Sequence, residues 1–132
     1  MDSSKMKEIL ERMKANRPKF PKRAIVTAGM PYGNKELHYG HVCGMFVYAD
    51  FFASFVKDKL GKENVIFVSG TDCYGSPSLE TFRKMTAEGY EGTIEDMVAE
   101  FNQKHINTLK EYEIGVDWFE GAAIGEAKDM HT

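Results

Sequence analysis

Two histidines three residues apart, in His38-Tyr39-Gly40-His41, are the side chains best suited to chemistry on a phosphate. At that spacing two imidazoles share one face of a helix. A glycine-bearing loop, Gly29-Met30-Pro31-Tyr32-Gly33-Asn34, precedes them, so they fall in the first turn of the helix that follows. A first turn exposes unpaired N–H groups and the positive end of the helix dipole, and both attract phosphate. Imidazoles placed there can donate hydrogen bonds to phosphate oxygens as charge builds during attack at phosphorus. Gly40 has no side chain, so a flat ring or a phosphate can approach its backbone. Taken without context, such histidines are more often surface or capping residues. A second loop, Ser69-Gly70-Thr71-Asp72-Cys73-Tyr74-Gly75-Ser76-Pro77, adds a carboxylate at Asp72. Two readings stand for Asp72: a partner for a buried ammonium group, or a turn-forming residue that caps the next helix. Met30 and Tyr32 read either as pocket walls or as core packing.

These residues need elements to position them. Ala24–Ala28 (AIVTA) and Val65–Val68 (VIFV) are β-branched runs bounded by turn residues, and both read as short buried strands. Between them a helical pattern runs from about His38 to Leu60 and stops at Gly61. Its apolar residues wrap far round the helix, which predicts a mostly buried element with Cys43 on a buried face. A helix is expected from about Leu79 to Ala87, ending at Gly89. Another should start at Thr93, where Asp96 completes a capping box. Its inner face holds Ile94, Met97, Val98, Phe101, His105, Leu109 and Tyr112. Residues 115–119 read as a third strand or an extended turn, and the pattern fades from Gly121. At the N-terminus, Ser3 or Ser4 can cap a helix whose Met6, Ile9, Leu10 and Met13 share a face. Asn16 to Pro21, with Pro18, forms a linker. The order strand, long helix, strand, helices implies an α/β fold with a parallel sheet and right-handed crossovers. Ligands in such sheets sit at the carboxyl ends of strands, where both glycine-rich loops fall.

At 132 residues the chain holds one compact domain, read as a basic helix and linker over 1–23 and a Rossmann-like nucleotide-binding half-domain over 24–132. Residues 1–23 carry eight Lys/Arg against three Asp/Glu, a local charge of +5, which leaves −8 on the other 109 residues. An acidic body is a poor nucleic-acid surface. The basic leader reads first as a solvated helix face. No apolar run reaches membrane-spanning length, and the charged N-terminus lacks a secretion-signal core, so the cytoplasm is the expected location. Two cysteines, Cys43 and Cys73, cannot build a four-cysteine zinc site, so no zinc is expected.

Taken together, these motifs carry a resemblance. The segment VTAGMPYGNKELHYGH (residues 26–41) resembles the first strand, P-Y-x-N loop and H-x-G-H signature of methionyl-tRNA synthetases, a class I aminoacyl-tRNA synthetase family. FVSGTDCYGSP (residues 67–77) resembles that family's second strand and G-T-D-x-x-G loop. A weaker likeness continues to about residue 120. The resemblance implies the HUP-type Rossmann-like fold, specifically the first half of the class I nucleotide-binding domain. It implies ATP with Mg²⁺ and methionine as ligands. On the ATP side it places Pro31, Asn34, His38, Gly40 and His41, with His38 and His41 catalytic. On the methionine side it places Gly29, Met30, Tyr32 and Asp72, with Asp72 receiving the ammonium group.

The sequence departs from the family pattern in three ways. The K-M-S-K-S loop, the zinc-bearing insertion and the anticodon-binding helices have no counterpart in these 132 residues, so the chain is expected to be too short for the whole enzyme. Arg83-Lys84-Met85-Thr86 sits inside a helix and reads as an amphipathic surface. Tyr39 stands where the family has an aliphatic residue, and Cys73-Tyr74 where it commonly has Glu-His. The leading expectation is therefore a methionyl-tRNA-synthetase-related half-site, weak or inactive in methionine activation and not charging tRNA alone. One alternative is a small nucleotidylyltransferase with its own H-x-G-H motif. The other is a non-catalytic paralogue or split-enzyme subunit, whose open sheet edge invites self-association or a partner.

Overall fold

The computed structural model describes residues 3–16 and 19–131, except the side chain of His131. Helix α1 (Ser3–Ala15) presents Met6, Ile9, Leu10 and Met13 to solvent, and none of its residues is buried. Pro18 of the expected linker lies outside the described residues.

Three parallel strands form the sheet in the order β1 (Ala24–Thr27), β2 (Val65–Thr71) and β3 (Trp118–Gly121). The third strand is thus real, and it begins three residues later than the 115–119 stretch suggested. Helices α3 (Val47–Leu60), α4 (Ser76–Ala87) and α5 (Ile94–Glu111) lie in the two crossovers. A last helix, α6 (Gly125–His131), follows where the apolar pattern fades and no helix was expected.

The register divides the sheet into unequal faces. Val26 pairs with Phe67, and both are buried against Ala53 and Val56 of α3. Burying side chains of this size is worth roughly 1.5–3 kcal/mol each, so this face anchors the crossover. The other face carries Ile25 opposite Ile66 and Val68 opposite Trp118. Ile25 is 71% exposed and Trp118 51%. The expectation that both strands are buried is therefore corrected: each is half-buried, because described helices cover only one face. A second core cluster joins Met97 and Val98 of α5 to Cys73 and Ala122.

The long helix also differs from its expected form. It runs from Tyr39 to Leu60, but as a short α2 (Tyr39–His41), a π-helical segment (Val42–Phe46) and then α3. Val42, Phe46, Ala53 and Val56 are buried, whereas Tyr48, Phe51, Phe52 and Phe55 are exposed. Cys43 is exposed as well, contrary to its expected buried face. One stripe of the helix meets the sheet, and on its outer side Phe55 meets the Phe20 ring while Tyr48 and Phe51 stay open. The helix stops at Gly61, whose φ of 89° is a conformation that side chains disfavour. The Thr93–Asp96 capping box opens α5 with reciprocal bonds, Thr93 N to Asp96 Oδ2 at 2.8 Å and Asp96 N to Thr93 Oγ1 at 3.1 Å.

Candidate functional site

Both glycine-bearing loops leave the carboxyl ends of neighbouring strands and are stitched together by backbone. Asp72 N donates to Pro31 O at 2.8 Å, and Gly33 N donates to Asp72 O at 2.8 Å. These bonds extend the β1–β2 pairing past the sheet as an isolated parallel bridge between Tyr32 and Asp72. A Cβ at Gly33 would lie 2.9 Å from Thr71 Cγ2, so the approach of the two loops depends on glycine there. Gly70 is required for the same reason, since a Cβ on it would collide with the Glu120 carbonyl of β3.

His38 is the N-cap of α2 and His41 its third residue, and each imidazole caps the helix start. His38 Nδ1 accepts from Gly40 N at 3.1 Å, and His41 Nδ1 accepts from His38 N at 3.3 Å. This is a capping box built from two imidazoles in place of the usual hydroxyl and carboxylate. A ring nitrogen that accepts carries no proton, so both neutral rings hold theirs on Nε2. The rings stack with centroids 3.9 Å apart. Burial first, and then the positive charge of nearby Lys35, push the His41 imidazole below its ordinary range. The result is a stacked pair of imidazoles with Nε2 left over at the positive end of a helix. A Cβ at Gly40 would stand 2.9 Å from His38 Cε1, so the capping imidazole itself occupies the space that glycine leaves.

The remaining expected residues divide by exposure. Met30 and Tyr32 are about half exposed, which sets aside simple core packing for both. The Met30 methyl approaches Gly70, and the Tyr32 ring approaches Gly75. Asp72 Oδ1 accepts from Tyr74 N at 3.1 Å, so its turn-forming role is real. A carboxylate offers about four lone-pair sites, which leaves room for an ammonium group as well. Gly29 is exposed, its carbonyl takes the Ser69 hydroxyl, and a Cβ there would meet Met45 Sδ. Pro31 is buried, and Asn34 turns its amide toward Thr81 of α4. These two residues shape the loop from inside. Tyr39 is exposed, and its hydrogen bond with Tyr112 pushes the Tyr112 phenol above its ordinary range.

Two cavities flank the site. One, of about 350 Å³, is lined by His38, Tyr39 and Val42 together with Thr108 and Tyr112 of α5. The other, of about 220 Å³, is apolar and lined by Cys73, Ile94, Val98 and Ile124. Neither cavity is lined by both an imidazole and Asp72, and the two loops are joined through backbone. Burial pushes the Cys73 thiol up, consistent with a packed side chain. Among the described residues, no group of three or more His, Cys, Asp and Glu is arranged to hold a metal ion. Among them, too, no helix is long and apolar enough to cross a membrane.

One residue with a part in this geometry was passed over in the sequence. His105, on α5 and fully buried, bonds to Thr71 in one direction and to Lys35 O in the other. Its place on the apolar face of α5 was the available signal.

Comparison with known proteins is consistent with this arrangement. The family model for tRNA synthetases class I (M) matches residues 24–130. The methionine–tRNA ligase of Chlamydia muridarum (strain MoPn / Nigg) is 35% identical over 97 residues, 74% of this chain and 16% of that protein. The methionine–tRNA ligase of Thermococcus onnurineus (strain NA1) is 37% identical over 98 residues, again 74% of this chain but 12% of the relative. That of Sulfolobus acidocaldarius is 42% identical over 66 residues, covering 50% of this chain and 12% of the relative. The chain thus spans less than a fifth of the length of these relatives.

Proposed function

Because the chain belongs to the tRNA synthetases class I (M), we propose that residues 24–130 form a half-site for ATP and methionine. The supporting observation is the paired capping of α2. Each imidazole spends Nδ1 on the helix start and keeps Nε2–H for a ligand. N–H donors at a helix N-terminus suit the oxygens of an ATP phosphate, and any Mg²⁺ would arrive on those phosphates. Asp72, tethered to the same loop, takes the methionine ammonium, while Met30 and Tyr32 offer a thioether and a ring to its side chain.

The reaction this half-site serves is attack of the methionine carboxylate on the α-phosphorus. A carboxylate oxygen–phosphorus bond forms, the bond from that phosphorus to the bridging oxygen breaks, and pyrophosphate leaves with the electron pair. His38 and His41 hydrogen-bond the non-bridging oxygens as negative charge builds there. Phosphoryl-type transfer depends heavily on positioned charge, and the K-M-S-K-S loop of the family has no counterpart in these residues. The 132-residue chain is therefore expected to bind better than it catalyses. Transfer of methionine to tRNA belongs to the longer relatives' name, and we do not assign it to these residues alone. The family match gives the nucleotidylyltransferase alternative no support.

Calorimetric titration of the chain with ATP and with methionine tests the reading, alongside methionine-dependent ATP–pyrophosphate exchange. Measurable binding with very weak exchange is the expected result. No binding of either ligand would overturn the half-site, and robust exchange would overturn the view that these residues need further charge.

A further inference from the structure

The buried imidazole on α5 connects the two loops of the site. His105 has no exposed surface, and both ring nitrogens are bonded: Nε2 lies 2.8 Å from Lys35 O and Nδ1 lies 2.9 Å from Thr71 Oγ1. A carbonyl oxygen only accepts, so Nε2 carries the proton. Nδ1 is then an acceptor, and the Thr71 hydroxyl donates to it. Burial keeps the ring neutral by pushing its pKa down. Thr71 immediately precedes Asp72, and Lys35 lies three residues before His38. Backbone bonds from Asp72 N to Pro31 O and from Gly33 N to Asp72 O complete a closed circuit: His105, Thr71, Asp72, Gly33, Lys35 and back to His105. Thr71 is also wedged against Gly33, since its Cγ2 fills the space a Cβ there would need. None of these contacts reaches a surface where ligand would sit.

We propose that His105 is a positioning residue, a clamp that sets the spacing between the carboxylate of Asp72 and the imidazole pair of His38 and His41. The inference rests on the half-site reading above, because it concerns the distance between that site's two ends. A clamp of this kind matters most to a ligand that engages both ends at once. Joined ligands gain affinity only while the two subsites keep the right separation, whereas separate ligands are indifferent to it. Loss of the clamp should therefore weaken a two-ended ligand more than either half.

The test compares wild type, His105→Leu, His105→Gln and Thr71→Val in the 132-residue chain. Each is titrated with ATP, with methionine, and with a non-hydrolysable methionyl-adenylate analogue that spans both ends. His105→Leu and Thr71→Val are expected to lower analogue affinity by about tenfold, the scale of one or two lost buried hydrogen bonds. ATP and methionine affinities should change by less than about twofold. Glutamine offers one donor and one acceptor, so His105→Gln should restore much of the loss. Equal losses for all three ligands would indicate general disorder and overturn the clamp, as would unchanged analogue affinity in both variants. Should His105→Leu fail to fold, Thr71→Val carries the comparison alone. Nitrogen-15 NMR of His105 gives a ligand-free readout, with Nε2 protonated and Nδ1 bare near neutral pH. A proton on Nδ1 alone, or on both nitrogens, overturns the proposal. If wild type binds none of the ligands, the half-site reading falls. The clamp is then judged by the tautomer and by amide exchange at Gly33 and Asp72, which must accelerate in His105→Leu for it to survive.

Discussion

His38 and His41 each use Nδ1 to cap the helix start, and in the proposed half-site each keeps Nε2 for phosphate, a division that makes them testable singly. His41→Ala removes a phosphate donor and the cap on His38 N together. A hydrogen bond to a charged group is worth about 1.5–3 kcal/mol, so ATP affinity should fall roughly 10- to 100-fold by calorimetry while the fold persists. Asp72→Ala should weaken methionine and spare ATP. A methionine titration that matches wild type would remove Asp72 from the site. Gly40→Ala probes the cap without deleting a donor: the new methyl would stand against the His38 ring and turn it off Gly40 N. ATP affinity in that variant should drop by about fivefold, the scale of one misdirected neutral hydrogen bond. His105 gives a pH signature at the same scale. Burial holds its folded pKa below the unfolded value of about 6.5, so between the two the unfolded chain binds a proton that the folded chain does not. Its contribution to stability is complete above about pH 6.5 and is lost as pH falls through the folded pKa. Urea unfolding across pH 5–7 should show a steeper decline for wild type than for His105→Gln, and parallel curves would count against this.

At the scale of elements, caps and strand ties hold the site's supports in place. Thr93→Ala removes the hydroxyl arm of the α5 capping box, which accepts from Asp96 N and donates to Asp96 Oδ2, and should lower Tm by roughly 4 °C, with ATP binding unchanged because α5 reaches the loops through His105 further along. Asp117 ties three elements: its carboxylate takes Lys57 Nζ of α3 at 2.7 Å and Phe67 N of β2 at 2.7 Å, just ahead of β3. Burial pushes this carboxyl up, but the bonds from Lys57 and Phe67 outweigh it and leave it below its usual range. A depressed carboxylate contributes stability above its unfolded pKa of about 3.9 and loses it as pH falls through the folded value. Asp117→Asn should therefore unfold at lower denaturant concentration at pH 7 and show a flatter acid limb than wild type. The π-helical segment at Val42–Phe46 directly follows the histidines. It was not legible from apolar spacing, because a π segment differs from an α-helix by one residue in a single turn.

For the molecule as a whole, the open sheet face is the dominant surface feature. Ile25, Ile66 and Trp118 lie on it uncovered by any described element, beside the free edge of β1. The expected outcome is concentration-dependent self-association in sedimentation velocity, reduced when Ile25→Lys and Trp118→Lys are combined. A clean monomer for wild type at high concentration would count against it. Apart from the strand order and α6, the parallel sheet, the crossover helices, the Thr93 cap and the glycine loops at the strand ends could be read from the sequence. They depend on local periodicity, turn chemistry and capping, which act over a few residues. The tertiary structure alone decided which faces are covered, since burial depends on what packs opposite: Ile25 and Phe52 look like core residues in sequence and are exposed, while Cys43 was misplaced for the same reason. It also decided that Pro31 and Asn34 turn inward. The partnership of His105 with Thr71 and Lys35, across 34 and 70 residues of chain, appears only once the crossover helix is laid against the sheet.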